Sequence, residues 1–74
     1  MKTLYSTMVT FRGDREEDFC IKHYDLLLPN IHRGDRFETH DANSMSGKIT
    51  SIATSMIIIS DALYVQQLID VKVK

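Results

Sequence analysis

Residues 60–74 read SDALYVQQLIDVKVK, and their secondary structure decides the fold of this chain. Side chains alternate between the two faces of a strand, so a strand here places five residues on one face: Val65, Gln67, Ile69, Val71 and Val73. A helix would instead start at an N-cap, Ser60 or Asp61, and continue through good helix formers. The regular alternation favours the strand, and the helix stays open as the alternative.

The segments before this stretch also have the pattern of strands. Residues 3–11 and 19–24 alternate at period two, and Phe37 follows a Gly-Asp turn as the inward residue of a third strand. In residues 48–60, KITSIATSMIIIS, the alternation slips between three isoleucines, which predicts a bulge: Ile49, Ile52 and Ile57. Residues 26–28, three leucines, fit either a buried strand or one helical turn.

About five strands joined by short turns are typical of a small barrel or a strongly bent sheet. Seventy-four residues are enough for one domain only. We therefore predict that residues 1–74 form a single small, mostly β domain, an antiparallel bent sheet or barrel that has room for one short helix.

One segment resembles the KOW type of small β-barrel. It has an apolar residue, a Gly-Asp turn, an inward apolar residue, a loop, and then a glycine before two apolar positions: Ile31, Gly34, Asp35, Phe37, Gly47, Ile49 and Ile52. The resemblance covers residues 31–52. It implies a barrel, and proteins of the KOW type often bind RNA, ribosomal or transcription partners.

Composition and charge narrow the possible functions. The nine basic and ten acidic residues give a net charge of −1, whereas proteins that bind long nucleic acids are usually basic. The lone cysteine, Cys20, cannot form an intrachain disulfide. Because the sequence also shows no apolar leader segment, the lone cysteine indicates a reducing, cytoplasmic location. The longest wholly aliphatic run, residues 56–59, is too short to span a bilayer.

No residue pattern predicts an enzyme, a cofactor or a metal. Cys20 and His23 are an odd number of residues apart and so face opposite sides of a strand. The segment SGKITS, residues 46–51, lacks the first glycine of a phosphate-binding loop. The two RGD tripeptides, residues 12–14 and 33–35, are ordinary turn chemistry. The carboxylates of residues 16–18 also lie in a predicted turn.

The surplus of apolar residues predicts a binding surface. Residues 56–59 are apolar on both faces of a strand, and a single sheet cannot cover both faces by itself. We predict a non-enzymatic module that binds a protein partner or itself as a homodimer, of the kind that phage and mobile elements use as regulators or inhibitors. If the last strand is a sheet edge, the interface includes four residues: Met56, Ile58, Leu68 and Ile69.

Two alternatives remain at this stage. A short helix at residues 60–69 would cover the second face from within and remove the need for a partner. A small-barrel nucleic-acid-binding protein would use the cations around the second turn, which are Arg33, Arg36 and Lys48.

Overall fold

The computed structural model describes residues 2–15, 19–40 and 44–73. These ranges contain five strands and no helix: β1 (Lys2–Arg12), β2 (Phe19–Tyr24), β3 (Arg36–Glu38), β4 (Ser46–Ile59) and β5 (Ala62–Val73). The strands form one sheet in the order β2-β1-β5-β4-β3, curled into a half-barrel. The predicted mostly β fold is confirmed, and the segment with two readings, residues 60–69, belongs to a turn and to β5 rather than to a helix. The carboxylates of residues 16–18 and residues 41–43, which belong to the loop predicted before Gly47, lie outside the described residues.

The sheet is mixed rather than wholly antiparallel. β1 pairs in parallel with β5, and the β1–β2, β3–β4 and β4–β5 pairs are antiparallel. Strands that follow each other closely in the chain can pair through a short turn, which makes them antiparallel. β1 and β5 come from opposite ends of the chain, and their pairing places β5 in the centre of the sheet.

The core lies on the concave side of the sheet, which we call the inner face. It consists of five buried side chains: Val9, Phe11, Ile49, Ile69 and Val71. The predicted alternation of β1 and β5 is confirmed, since the odd-numbered residues from 7 to 11 and from 67 to 71 are buried. Phe37 points inward as predicted, and its ring meets that of Phe11 edge to face, with centroids 5.8 Å apart.

The predicted bulge in β4 is confirmed. The register with β5 shifts between Ile49 and Ser51, so Thr50 is the extra residue. The Thr50 hydroxyl donates to the Asp70 carbonyl at 3.2 Å, and the Ser51 hydroxyl donates to the Asp70 carboxylate at 2.9 Å. The extra residue lets Ile49 and Ile52, three positions apart, share the inner face.

The three leucines at residues 26–28 are neither strand nor helix. Their backbone is held by Gln67, whose amide accepts from the Leu28 N–H at 3.0 Å and donates to the Leu28 carbonyl at 3.3 Å. The Thr7 hydroxyl donates to the Leu26 carbonyl at 2.5 Å. Two buried polar side chains of the sheet thus fix the connection between β2 and β3.

Candidate functional site

A three-stranded extension projects from the half-barrel, and we call it the ribbon. It consists of residues 2–6 of β1, 53–59 of β4 and 62–66 of β5, paired in the order β1-β5-β4. Nearly all of its residues in β1 and β4 are exposed. The molecule is correspondingly elongated, with extents of 41 × 24 × 23 Å. Its radius of gyration of 13.5 Å exceeds the value of about 11 Å for a compact domain of this length.

The ribbon is apolar on both faces. Cross-strand partners share a face, so the register places these side chains on the inner face: Tyr5, Met56, Ile58, Leu63 and Val65. The opposite, outer face carries Leu4, Ile57, Ile59 and Tyr64. Met56 is 68% exposed and Ile58 is 64% exposed. The predicted run of apolar residues on two faces is therefore present, and no described segment covers it.

The free edge of β4 is the longest unpaired strand edge of the ribbon. β3 pairs with residues 46–48 of β4 only, so residues 51–59 have no described strand on their outer side. Their sequence, SIATSMIII, contains no charge, no proline and no glycine. An unpaired strand edge of this kind is a template for another strand.

The other unpaired edges carry charged or titratable residues. The free edge of β1, residues 2–6, is short and includes Lys2. β2 carries Lys22 and His23, and β3 carries Arg36 and Glu38. Charged side chains on an edge strand oppose the addition of a further strand. Among the unpaired edges that the structure describes, the β4 edge is thus the one without charged side chains.

The four predicted interface residues divide into two groups. Met56 and Ile58 lie together on the ribbon. Ile69 is 1% exposed and belongs to the core, and Leu68 is half-buried on the outer face. The last strand, β5, is not an edge of the sheet. It lies between β1 and β4, and both its edges are paired. Sequence patterns alone do not show that the free edge belongs to β4.

Four cations line up across the outer face at the other end of the sheet, and we call them the basic row. They occupy neighbouring positions on four strands, in the order Arg12, Lys72, Lys48 and Arg36. The last three line a cleft of about 400 Å³ with Ser46 and Gly47. Two of the row, Arg36 and Lys48, were predicted as nucleic-acid contacts. Lys72 joins them through the antiparallel β4–β5 pairing, and Arg12 joins through the parallel β1–β5 pairing. Sequence reasoning missed both residues.

Carboxylates neutralise most of the basic row. Arg12 lies 3.6 Å from the Asp70 carboxylate, Lys72 lies 3.2 Å from that of Asp14, and Arg36 Nε lies 2.6 Å from Glu38 Oε1. The hydrogen bond and positive charge of Arg36 hold the pKa of the exposed Glu38 carboxyl below its usual value. Lys48 has no carboxylate partner among the described residues. Arg33, the third predicted contact, is exposed in the turn before β3 and lies outside the row.

The second RGD tripeptide and the residues Cys20 and His23 belong to neither the ribbon nor the basic row. In the second RGD tripeptide, the Asp35 carboxylate accepts from the His32 N–H at 2.8 Å, and Ile49 bonds the backbone of Gly34 and Asp35 at 2.8 Å each. Cys20 pairs with Phe11 on the inner face, and His23 pairs with Met8 on the outer face. This confirms that the two residues face opposite sides.

No three His, Cys, Asp or Glu side chains of the described ranges lie close enough together to hold a metal ion. The described residues include no helix that is long and apolar enough to cross a bilayer.

The apolar positions of the KOW resemblance lie on the core side of the sheet. Gly34 and Asp35 form the turn, and Phe37, Ile49 and Ile52 face or pack against the core. Comparison with protein-family models, with curated proteins and with solved structures finds no match for this chain.

Proposed function

We propose that this protein is a non-enzymatic binding module that takes an extended strand of a protein partner onto the free edge of β4. The observation that carries the proposal is the uncharged edge of residues 51–59, flanked by apolar side chains on both faces. Strand addition supplies main-chain hydrogen bonds for affinity and side-chain contacts on both faces for specificity. A small regulator or inhibitor of phage or mobile-element origin, acting in a reducing cytoplasm, would work by occupying its partner in this way.

The apolar ribbon favours a protein partner over a small molecule. Three clefts of the described surface are shallow and open. The larger cleft in the basic row is lined by three cations, a serine and a glycine, whereas ligand sites are usually lined by hydrophobic and aromatic side chains. Exposed apolar areas of this kind on small proteins usually mark protein contacts.

A capture experiment with matched variants tests the proposal. Ile58 is the most exposed isoleucine of the ribbon, and Ile21 is an exposed isoleucine of β2 at the opposite edge of the sheet. We expect wild type and Ile21→Lys to retain the same partner protein from the native host, and Ile58→Lys to lose it. Binding by a hydrophobic strand edge should also persist in high salt. Equal capture by all three proteins would contradict the proposal.

Nucleic-acid binding is the second candidate, and the basic row is the observation that favours it. Four cations across one face suit a phosphate backbone, and the exposed Phe19 beside Arg12 offers a surface for base stacking. Three of the four cations, however, are paired with carboxylates. Lys48 is the one cation of the row without a carboxylate partner in the described chain. The neutralised charge is the reason that this candidate comes second.

Salt dependence separates the two candidates. Four phosphate contacts to a single strand predict a slope of log affinity against log salt of about −2.8, and one contact predicts about −0.7. We expect labelled single-stranded oligonucleotides to bind weakly with the shallow slope. A steep slope that becomes shallower in Lys48→Gln and Lys72→Gln would establish the basic row as a nucleic-acid site.

A further inference from the structure

We infer that the strand taken up by the β4 edge is the same edge of a second copy of this chain, so that two ribbons pair antiparallel around a two-fold axis near Ser55. This inference rests on the proposed function and names the partner. It makes the sheet continuous across a homodimer, with the two copies of β4 at its centre.

The composition of the edge favours a second copy as the occupant. Residues 51–59 offer polar backbone and small or aliphatic side chains, and carry no charge that would repel an identical strand. Symmetric pairing uses the same surface on both copies, so it closes after two subunits and leaves no second β4 edge for further growth. The free stretch is limited at its N-terminal end by two features. These are the register shift at Thr50 and the pairing of residues 46–48 with β3.

The proposed register brings apolar side chains of the two copies together. Centred on Ser55, it places Ile58 opposite Ile52 of the second copy, and both residues belong to the inner face. On the outer face, Ile57 lies opposite Ala53 of the second copy. Directly opposed side chains in an antiparallel pair are in contact, so Ile58 and Ile57 each gain an apolar neighbour.

The surface area of the chain agrees with a missing partner. The accessible surface is 5543 Å², whereas a folded monomer of 8.5 kDa has about 4,650 Å². The excess of roughly 900 Å² is similar to the area of about 800 Å² that each partner contributes to a standard stable interface.

Sedimentation of three proteins tests the self-association. We expect wild type to change from monomer to dimer as its concentration rises. Ile58→Lys should weaken the dimer roughly tenfold to a hundredfold, because a buried isoleucine is replaced by a charge on the edge. Ile21→Lys, the matched control on β2, should dimerise like wild type. A wild-type monomer at every concentration would overturn the inference.

Cysteine cross-linking tests the register. In a Cys20→Ser background, Ser55→Cys places the two thiols directly opposite each other, about 5 Å apart between Cα atoms, within the range of a disulfide. Ser51→Cys is the matched control on the same strand and face, and its two thiols are roughly 26 Å apart in this register. We expect mild oxidation to convert only the Ser55→Cys protein into a covalent dimer.

The outcomes separate this inference from the proposed function. Equal cross-linking of the Ser51→Cys and Ser55→Cys proteins would overturn the two-fold register. A monomeric wild type whose partner capture is still lost in Ile58→Lys would overturn self-pairing and leave strand addition intact, with a foreign strand on the edge. A wild-type dimer that Ile58→Lys does not weaken would overturn the assignment of the dimer to β4.

Discussion

Gly47 of β4 lies against the central strand without room for a side chain. A Cβ at this position would lie 2.3 Å from the Lys72 carbonyl oxygen and 2.7 Å from Val71 Cγ1. Both neighbours are parts of β5, so the sheet itself would have to move. We expect Gly47→Ala to lower the free energy of unfolding by about 1–3 kcal/mol, measured by urea denaturation. Ser46→Ala, at the neighbouring position, is the control, and equal midpoints for the two variants would contradict this reading.

Gln67 is the buried polar residue that holds the connection before β3. Its amide satisfies both the N–H and the carbonyl of Leu28. In Gln67→Met, a side chain of similar shape leaves these backbone groups without partners, and we expect a loss of about 1–3 kcal/mol in unfolding free energy. The control is Gln66→Met, at the exposed neighbour on the outer face. Thermal unfolding of both variants measures the difference, and a similar loss in each would argue against a structural role for the amide.

At the scale of elements, the turn between β4 and β5 is strained. Ile59 pairs with Ala62, so Ser60 and Asp61 form a two-residue turn, and Ser60 has a φ of 55°. A residue other than glycine in this region carries a penalty of about 1 kcal/mol or more. Ser60→Gly should therefore raise the unfolding free energy by up to about 1 kcal/mol, after the entropy loss of glycine. Asp61 has no positive φ, so Asp61→Gly should lower stability, and a gain from both changes would contradict this account.

At the scale of the whole molecule, the proposed dimer predicts where amide hydrogen exchange depends on concentration. Unpaired N–H groups of an exposed edge exchange rapidly. We expect protection within residues 51–59 to increase as the protein concentration rises, on alternate residues whose N–H groups face the second copy. The free edge of β2 supplies the internal control, and its exchange should not change. Protection that increases along β2, or nowhere, would place the contact elsewhere or exclude it.

The sequence alone predicted most of the strands and most of the core, while residues 26–28 and 60–69 stayed open between strand and helix. Period-two alternation identified the buried faces of β1 and β5, and the slipped isoleucine spacing located the bulge in β4. These features are local, since they depend only on which side of a strand each residue occupies. For the same reason, Met56 and Ile58 were correctly recognised as apolar residues in excess of what the sheet can cover.

The tertiary structure alone decided which strands are neighbours. The parallel pairing of β1 with β5 buries Ile69 at the centre, moves the free edge to β4 and brings Arg12 beside Lys72. The alternation of a strand is the same whether it lies at an edge or in the middle of the sheet. Strand order instead follows from contacts between residues distant in sequence, and such contacts have no periodic signature. The candidate site could therefore be located only from the tertiary structure, in which the two ends of the chain are paired.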